Sequence, residues 1–443
     1  MVNALADEAG TVRQRPGIAT WSGFPSTIPN ASPVVGMVPF GEFLVYVTED
    51  RKLFAVQGGA VADLSDSTAA TKLDGASRPS LIATRNKVVA VGGGLPQKWT
   101  SGLSARLGGS PPMATHIAGI ATRLVVSQAN PSGQLQWSGL GDSGHETWDA
   151  LDYAEAEADP DVIRALHGNT NELFVFGAKT LQKFVPDAVV GFAPVSTVGL
   201  GLLAPYSVVP LDDQFAFLDR SRRIMLTDGR GYQETNPQLG KTFDAIGTVS
   251  DCWGFHALLD QWDLGVWMFP THGKGYIWDR GANRWSEWRA WNGSAYSEPT
   301  ITSAVSWPEK NLTLVGLSTG QIARLDGSTY SDLGEVLKVE ITTGFTDRGT
   351  SQGKACKAAR FRFKRGQTSQ GSTAPVVVIS YRDDLGAFRV QRRASLGVAG
   401  DYNPVIDLRS LGTYRQRQWK IEFTAASELS FVGAEEEFEV LSN

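Results

Sequence analysis

The chain has 443 residues, of which 42% are hydrophobic, 10% aromatic and 20% charged, and a net charge of −5. That is enough for one or two domains with a large buried core, and no run of like charge is long enough to form a solvated tail. Cys252 and Cys356 lie far apart without partners at metal-ligand spacing, no stretch approaches a membrane-spanning apolar length, and the opening "MVNALADEAGTVRQRPG" is unlike a secretion signal. The expectation is synthesis in the cytoplasm and assembly without disulfides, so the sequons at Asn292 and Asn311 carry little weight.

In chain order, residues 1–36 read as an extended N-terminal arm. Seven similar hairpins follow: "FLVYVTEDRKLFAV" from Phe43, "VVAVGGGLPQKW" from Val88, "LVVSQANPSGQLQW" from Leu124, "LFVFGAKTLQKFV" from Leu173, "FAFLDRSRRIML" from Phe215, "VWMFPTHGKGYIW" from Val266 and "LTLVGLSTGQIARL" from Leu312. Each is an apolar or aromatic run, a short polar turn and a second run. Their starts are 45, 36, 49, 42, 51 and 46 residues apart, a period suited to one four-stranded propeller blade of about 40–50 residues.

One hairpin cannot bury its apolar face alone, whereas blades packed around an axis cover both faces and leave only short edges. A β-propeller of six to seven blades is therefore predicted over residues 37–336. Segments such as "RPSLIATR" and "DVIRALHG" would supply inner strands, and Trp253, Trp262, Trp267, Trp278, Trp285, Trp288 and Trp291 would fill the space between two later blades. Two tandem β-sandwiches would also give short, evenly spaced strands. The regular hairpin period favours the propeller.

After residue 337 the texture changes to longer alternating strands, among them "AARFRFKRG", "APVVVISYRDD", "AFRVQRRASL", "RQRQWKIEFTAA" and "ELSFVGAEEEFEV". Residues 337–443 read as an antiparallel β-sandwich-like domain. From Lys338 onward there are 16 Lys and Arg against 12 Asp and Glu, a net +4 that leaves −9 on the remainder. Lys357, Arg360, Arg362, Lys364 and Arg365 form a basic face, expected to meet an acidic protein surface rather than phosphates, because no exposed aromatics interleave with them.

Several motifs invite a chemical reading. "GLSTG" and "GTSQG" fit G-x-S-x-G, yet one is a hairpin tip and the other a polar loop, whereas a nucleophile elbow needs a strand before it and a helix after. His116, His145, His167, His256 and His272 show no metal-ligand spacing and read as turn or packing residues. "DSGHETW" and "DRGANRW" are similar to the Asp-box of sialidase-like propellers, a structural turn with a packed Trp, but each has one residue too many before Trp and lacks the serine. "YAEAEADPD" (residues 153–161) gathers carboxylates without a calcium-loop alternation and reads as a solvated loop. The sequence thus predicts a non-enzymatic protein with no catalytic, cofactor-binding or metal-ligating residues.

Three stretches, "TVRQRPGIATW", "ETWDALDYAEAEADPDVIRALHGNTNELFVFGAKTLQKFVPD" and "RSLGTYRQRQWKIEFTAASELSFVGAEEEFE", together resemble the tail nozzle, or packaged-DNA-stabilisation, proteins of short-tailed (podovirus) bacteriophages. The resemblance rests on their order and co-occurrence along most of the chain. It implies a virion-tail propeller assembled as a homohexamer ring on the head-to-tail adaptor, retaining packaged double-stranded DNA without sequence specificity and forming the channel for its ejection. Further partners would be a tailspike or tail fibre, or a tail needle, with no small-molecule substrate. The compact C-terminal half departs from the family and leaves the fibre-binding tip unassigned.

A channel for DNA should be acidic or mixed, since many Lys/Arg–phosphate contacts would hold the duplex. Hairpin tips or the N-terminal arm are the expected constriction. Two other readings stay open: a carbohydrate-binding or glycosidase-like propeller using tryptophans and carboxylates, and a cytosolic interaction scaffold.

Overall fold

The computed structural model describes the whole chain except residues 7–9, 67, 69, 131–132, 156–160, 170, 236, 260–261, 365, 367–372, 402–404 and 442–443. Among the described residues, the seven hairpins read from the sequence are the second and third strands of seven sheets. Blades 1 to 6 occupy residues 34–63, 80–106, 114–155, 163–198, 209–234 and 253–288, each four antiparallel strands in chain order or its reverse. Blade 7 takes three strands from residues 301–326 and its fourth, Gly17–Thr20, from the start of the chain.

The middle strands are apolar at nearly every position because both faces of a blade meet a neighbour. Val88–Val91 and Leu173–Gly177 are buried throughout. Seven apolar cores result, one between each pair of adjacent blades, from the cluster of Val45, Val47, Val88 and Ala90 between blades 1 and 2 to that of Tyr46, Phe54, Trp307 and Leu314 between blades 7 and 1. The first strand of each blade lies innermost: Ser80–Ala83 and Ile163–Gly168, both expected from the sequence, are two of these. First strands of blades 7, 1, 2, 3 and 4 pack in succession, as do those of blades 5, 6 and 7, and a shared core joins blades 4 and 5. The ring is closed, and the propeller has seven blades.

The tryptophans of blade 6 pack as predicted, dividing between its two faces. Trp267, Trp278 and Trp285 face blade 5, and Trp253, Trp262 and Trp288 face blade 7. Trp291 is the exception, half-buried on a small hairpin of Ala290–Trp291 and Tyr296–Ser297.

The C-terminal region is a sandwich of two sheets around one core that includes Phe361, Phe363, Ile379, Trp419 and Phe423. One sheet has Arg417–Thr424 and Val376–Asp383 at its centre, with Lys338–Thr342 and Arg389–Ser395 at its edges. The other sets Lys354–Phe363 beside Ser430–Val440 and Val405–Arg409, the last of these not anticipated from the sequence.

Two expectations need correction. The extended arm of residues 1–36 is instead woven into both domains. Ala4–Ala6 and Val12–Gln14 form a hairpin added to the second sandwich sheet through Ser430–Val440, and Gly17–Thr20 closes blade 7. Position 17 has to be glycine, because a Cβ there would run into the backbone carbonyl oxygen of Ser331. This part of the arm cannot constrict a channel.

The basic face is the second correction. Its acidic partners are on the two flanking strands of the same sheet and just before one of them: Lys357 pairs with Glu439 (2.9 Å), Arg360 with Asp407 (3.3 Å) and Glu435 (3.6 Å), Arg362 with Glu435 (3.3 Å), and Lys364 with Glu428 (3.8 Å). Cross-strand opposition puts these charges within reach of one another, so the face is largely neutralised. Arg365 lies outside the described residues.

Candidate functional site

The axis of a propeller is where its first strands converge, and here it is crossed by side chains. Arg78 enters from just before the first strand of blade 2. Its Nη2 donates to the Thr302 carbonyl of blade 7 at 2.6 Å, and its guanidinium lies 4.6 Å from the ring centroid of Trp253 in blade 6. Blades 2 and 6 are separated in the ring by blades 7 and 1, so this contact spans the axis. Tyr206, on the connection into blade 5, donates its hydroxyl to the Arg78 carbonyl at 2.7 Å and packs 5.1 Å from the His116 ring of blade 3.

Burial pushes the Arg78 guanidinium down to about 10 and the Tyr206 phenol up to about 12. Arg78 stays charged near neutrality and Tyr206 stays protonated. Beside them is a cavity of about 350 Å³ that Arg78, Trp253, Thr300 and Thr302 help to line. The cross-axis bonds make this end a plug: a duplex has no route along the axis of a single propeller.

His167 lies further along the inner strands, its ring 5.9 Å from Phe176 and 5.6 Å from Phe215. Burial lowers His167 to about 4 and His116 to about 3, the latter also repelled by His167. Both are neutral packing groups near pH 7. Sequence reasoning placed them as turn or packing residues but gave no sign that His116 would help to cap the axis.

A second constellation joins the domains. Arg15 is fully buried and makes a bidentate pair with Asp332 (3.1 and 2.6 Å), donates to the Asn3 side-chain oxygen at 2.9 Å and lies 4.1 Å over Trp288. Asn3 in turn donates to the Lys338 carbonyl at 2.9 Å and accepts from the Arg289 backbone N–H at 3.0 Å. A start-of-chain strand pair, the outer strand of blade 6, the tail of blade 7 and the first sandwich strand therefore share one buried polar hub. Removing one member of such a buried pair costs roughly 3–5 kcal/mol.

The remaining sequence candidates are dispersed. "GLSTG" is the hairpin tip between Leu312–Leu317 and Ile322–Asp326. In "DSGHETW", Gly141–Gly144 is a single helical turn, and the Trp148 indole donates to the His145 carbonyl at 3.0 Å. In "DRGANRW", Asp279 and Trp285 are buried and Trp285 stacks on Trp278 at 6.0 Å. His256 meets Asp263 at 2.7 Å on the hairpin connecting two strands of blade 6. Of "YAEAEADPD", residues 156–160 lie outside the described residues, and Asp161 accepts the backbone N–H groups of Ala178, Lys179 and Thr180 at 2.8–2.9 Å. Among the described residues no three His, Cys, Asp or Glu side chains gather as metal ligands.

The tryptophans do not form a sugar-stacking platform. Ten of the 13 are buried, leaving Trp21, Trp148 and Trp291 half-buried on separate parts of the molecule.

No protein-family model matches the chain, and no curated protein does. Among solved structures it is similar to BamB from Moraxella catarrhalis (14% identity, 73% of this chain and 90% of that chain, TM-score 0.43). It is also similar to YCF48 from Cyanidioschyzon merolae (11%, 68% and 97%, 0.42) and to the computationally designed Ika8 protein (12%, 70% and 99%, 0.40). The fold is a β-propeller, with a sandwich appended.

Proposed function

We propose that the chain is a non-enzymatic virion protein, one subunit of the tail nozzle of a short-tailed phage. It would dock on the head-to-tail adaptor, retain packaged DNA and form part of the channel for genome ejection. The observation that carries this reading is the way the first 20 residues stitch both domains into one body while Arg78 closes the propeller axis. A wall element needs that combination: stiffness across domains, and a conduit that runs between copies rather than through one.

Charge supports the same arrangement. Residues 1–337 carry −9, and an acidic or mixed wall lets a duplex slide where a basic one would bind its phosphates. The ladder in the sandwich neutralises the most conspicuous basic face within the subunit. The carbohydrate reading loses its principal support with the burial of the tryptophans.

Size-fractionating a lysate of the native source tests the proposal. The chain is expected in a megadalton particle that contains nuclease-protected DNA; recovery solely as a free 47.7-kDa chain would contradict it.

A further inference from the structure

A groove of about 890 Å³ opens on the outer rim between blades 3 and 4. One wall is Trp148–Glu155, the outermost strand of blade 3; the other is the turn joining Leu181–Asp187 to Gly191–Val198. Its floor is rigid: Trp137 and Phe192 are buried edge to face at 5.0 Å, and Gly191 approaches so closely that a Cβ would sit 2.6 Å from the Trp137 ring. Its walls are apolar yet open to solvent. Leu151 is 82% exposed and Val189 91%, with Leu140, Tyr153 and Val190 beside them. Asp152, Glu155 and Asp187 line the same groove against one cation, Arg123, whose guanidinium is turned to the Ser138 carbonyl at 2.9 Å. An exposed apolar cluster with an acidic border is the form of a protein-binding surface.

The complementary surface is on the other domain. Arg389–Ser395 is an edge strand, paired among the described strands with Val376–Asp383, and exposed at all but one position. Arg389, Arg392 and Arg393 make no ion pair with any described residue, in contrast to the neutralised ladder on the opposite sheet. Between and beside them Val390 and Leu385 are 58% and 76% exposed. The sandwich's excess positive charge is thus concentrated on one apolar-studded edge.

We infer that the groove of one copy receives the basic edge strand Arg389–Ser395 of the next copy. Opposite charge and matched apolar content make these two patches fit each other rather than themselves. A contact between two different patches is head-to-tail, and repetition closes a ring when the rotation allows. The ring form rests on the proposed tail role, whereas the contact rests on the two patches alone.

Sedimentation of the purified full-length chain tests it with two double variants, Asp152→Lys with Glu155→Lys in the groove and Arg392→Glu with Arg393→Glu on the strand. The wild-type chain should self-associate, less so as salt rises. Each double variant should lose association by about tenfold or more. Mixed together, they should form a heterodimer and stop there, because each retains only one working patch and their intact patches meet. A monomeric wild type, variants that associate as the wild type does, or a mixture without heterodimer would each overturn the contact. The tail role fails separately: a chain that self-associates through these patches but never enters a DNA-containing particle would remove that role and keep the interface.

Discussion

At the scale of single residues the molecule is organised by a few desolvated polar groups in an apolar ring. Arg78, His116 and Tyr206 meet where the blades converge, and the two axial histidines carry a consequence for pH. Burial holds His116 at about 3 and His167 at about 4, below the ordinary 6.5. Above about pH 6.5 both are neutral whether folded or unfolded, and their full contribution to stability is present. Below it the unfolded chain takes up protons that the folded chain refuses, so stability is lost down to about pH 3–4, by at most ~1.4 kcal/mol per pH unit for each histidine. Replacing both (His116→Gln with His167→Gln) should flatten the fall in urea midpoint between about pH 7 and 5. An unchanged slope would mean that the two rings protonate freely in the folded state. The histidines' packing role was legible in the sequence from the want of any ligand spacing. Their convergence was not, since His116 and Arg78 sit on different blades and nothing local records which side chains cross an axis.

At the scale of strands and sheets, local signals translated directly. Each middle hairpin was readable because a strand packed on both faces must be apolar throughout, and a two-strand turn announces itself within a dozen residues. The closing strand was not readable. Gly17–Thr20 is four residues long and its partner, Ile322–Asp326, is some three hundred residues away. The ion-pair ladder failed to appear for a similar reason: "ARFRFK" and "AEEEFE" are each visible, but their adjacency in one sheet is a long-range fact. That adjacency alters what charge reversal should do. Arg360→Glu with Arg362→Glu places like charges opposite Glu435 and should cost the sandwich about 1–2 kcal/mol in total. Self-association should be unaffected. Native-state hydrogen exchange of the sandwich strands, paired with sedimentation of the same variant, reads both; a variant of full stability that fails to associate would restore the ladder as an interface.

At the scale of the whole molecule, the period counted along the chain narrowed the blades to six or seven and the ring of packed sheets decides seven, while the joining of the domains followed from nothing in the sequence's periodicity. The first 20 residues belong to the propeller by one strand and to the sandwich by two, with the buried Arg15–Asp332 pair at the crossing. A propeller closed by its own N-terminal strand and plugged at its axis is a solid body. If such bodies line a tail, the genome passes between them. Immunogold labelling of purified particles with an antibody to this chain tests that account most directly. The account predicts gold at one unique vertex of each particle, at the base of a short tail. Gold spread over all vertices, or particles that carry none while the free chain labels, would contradict it.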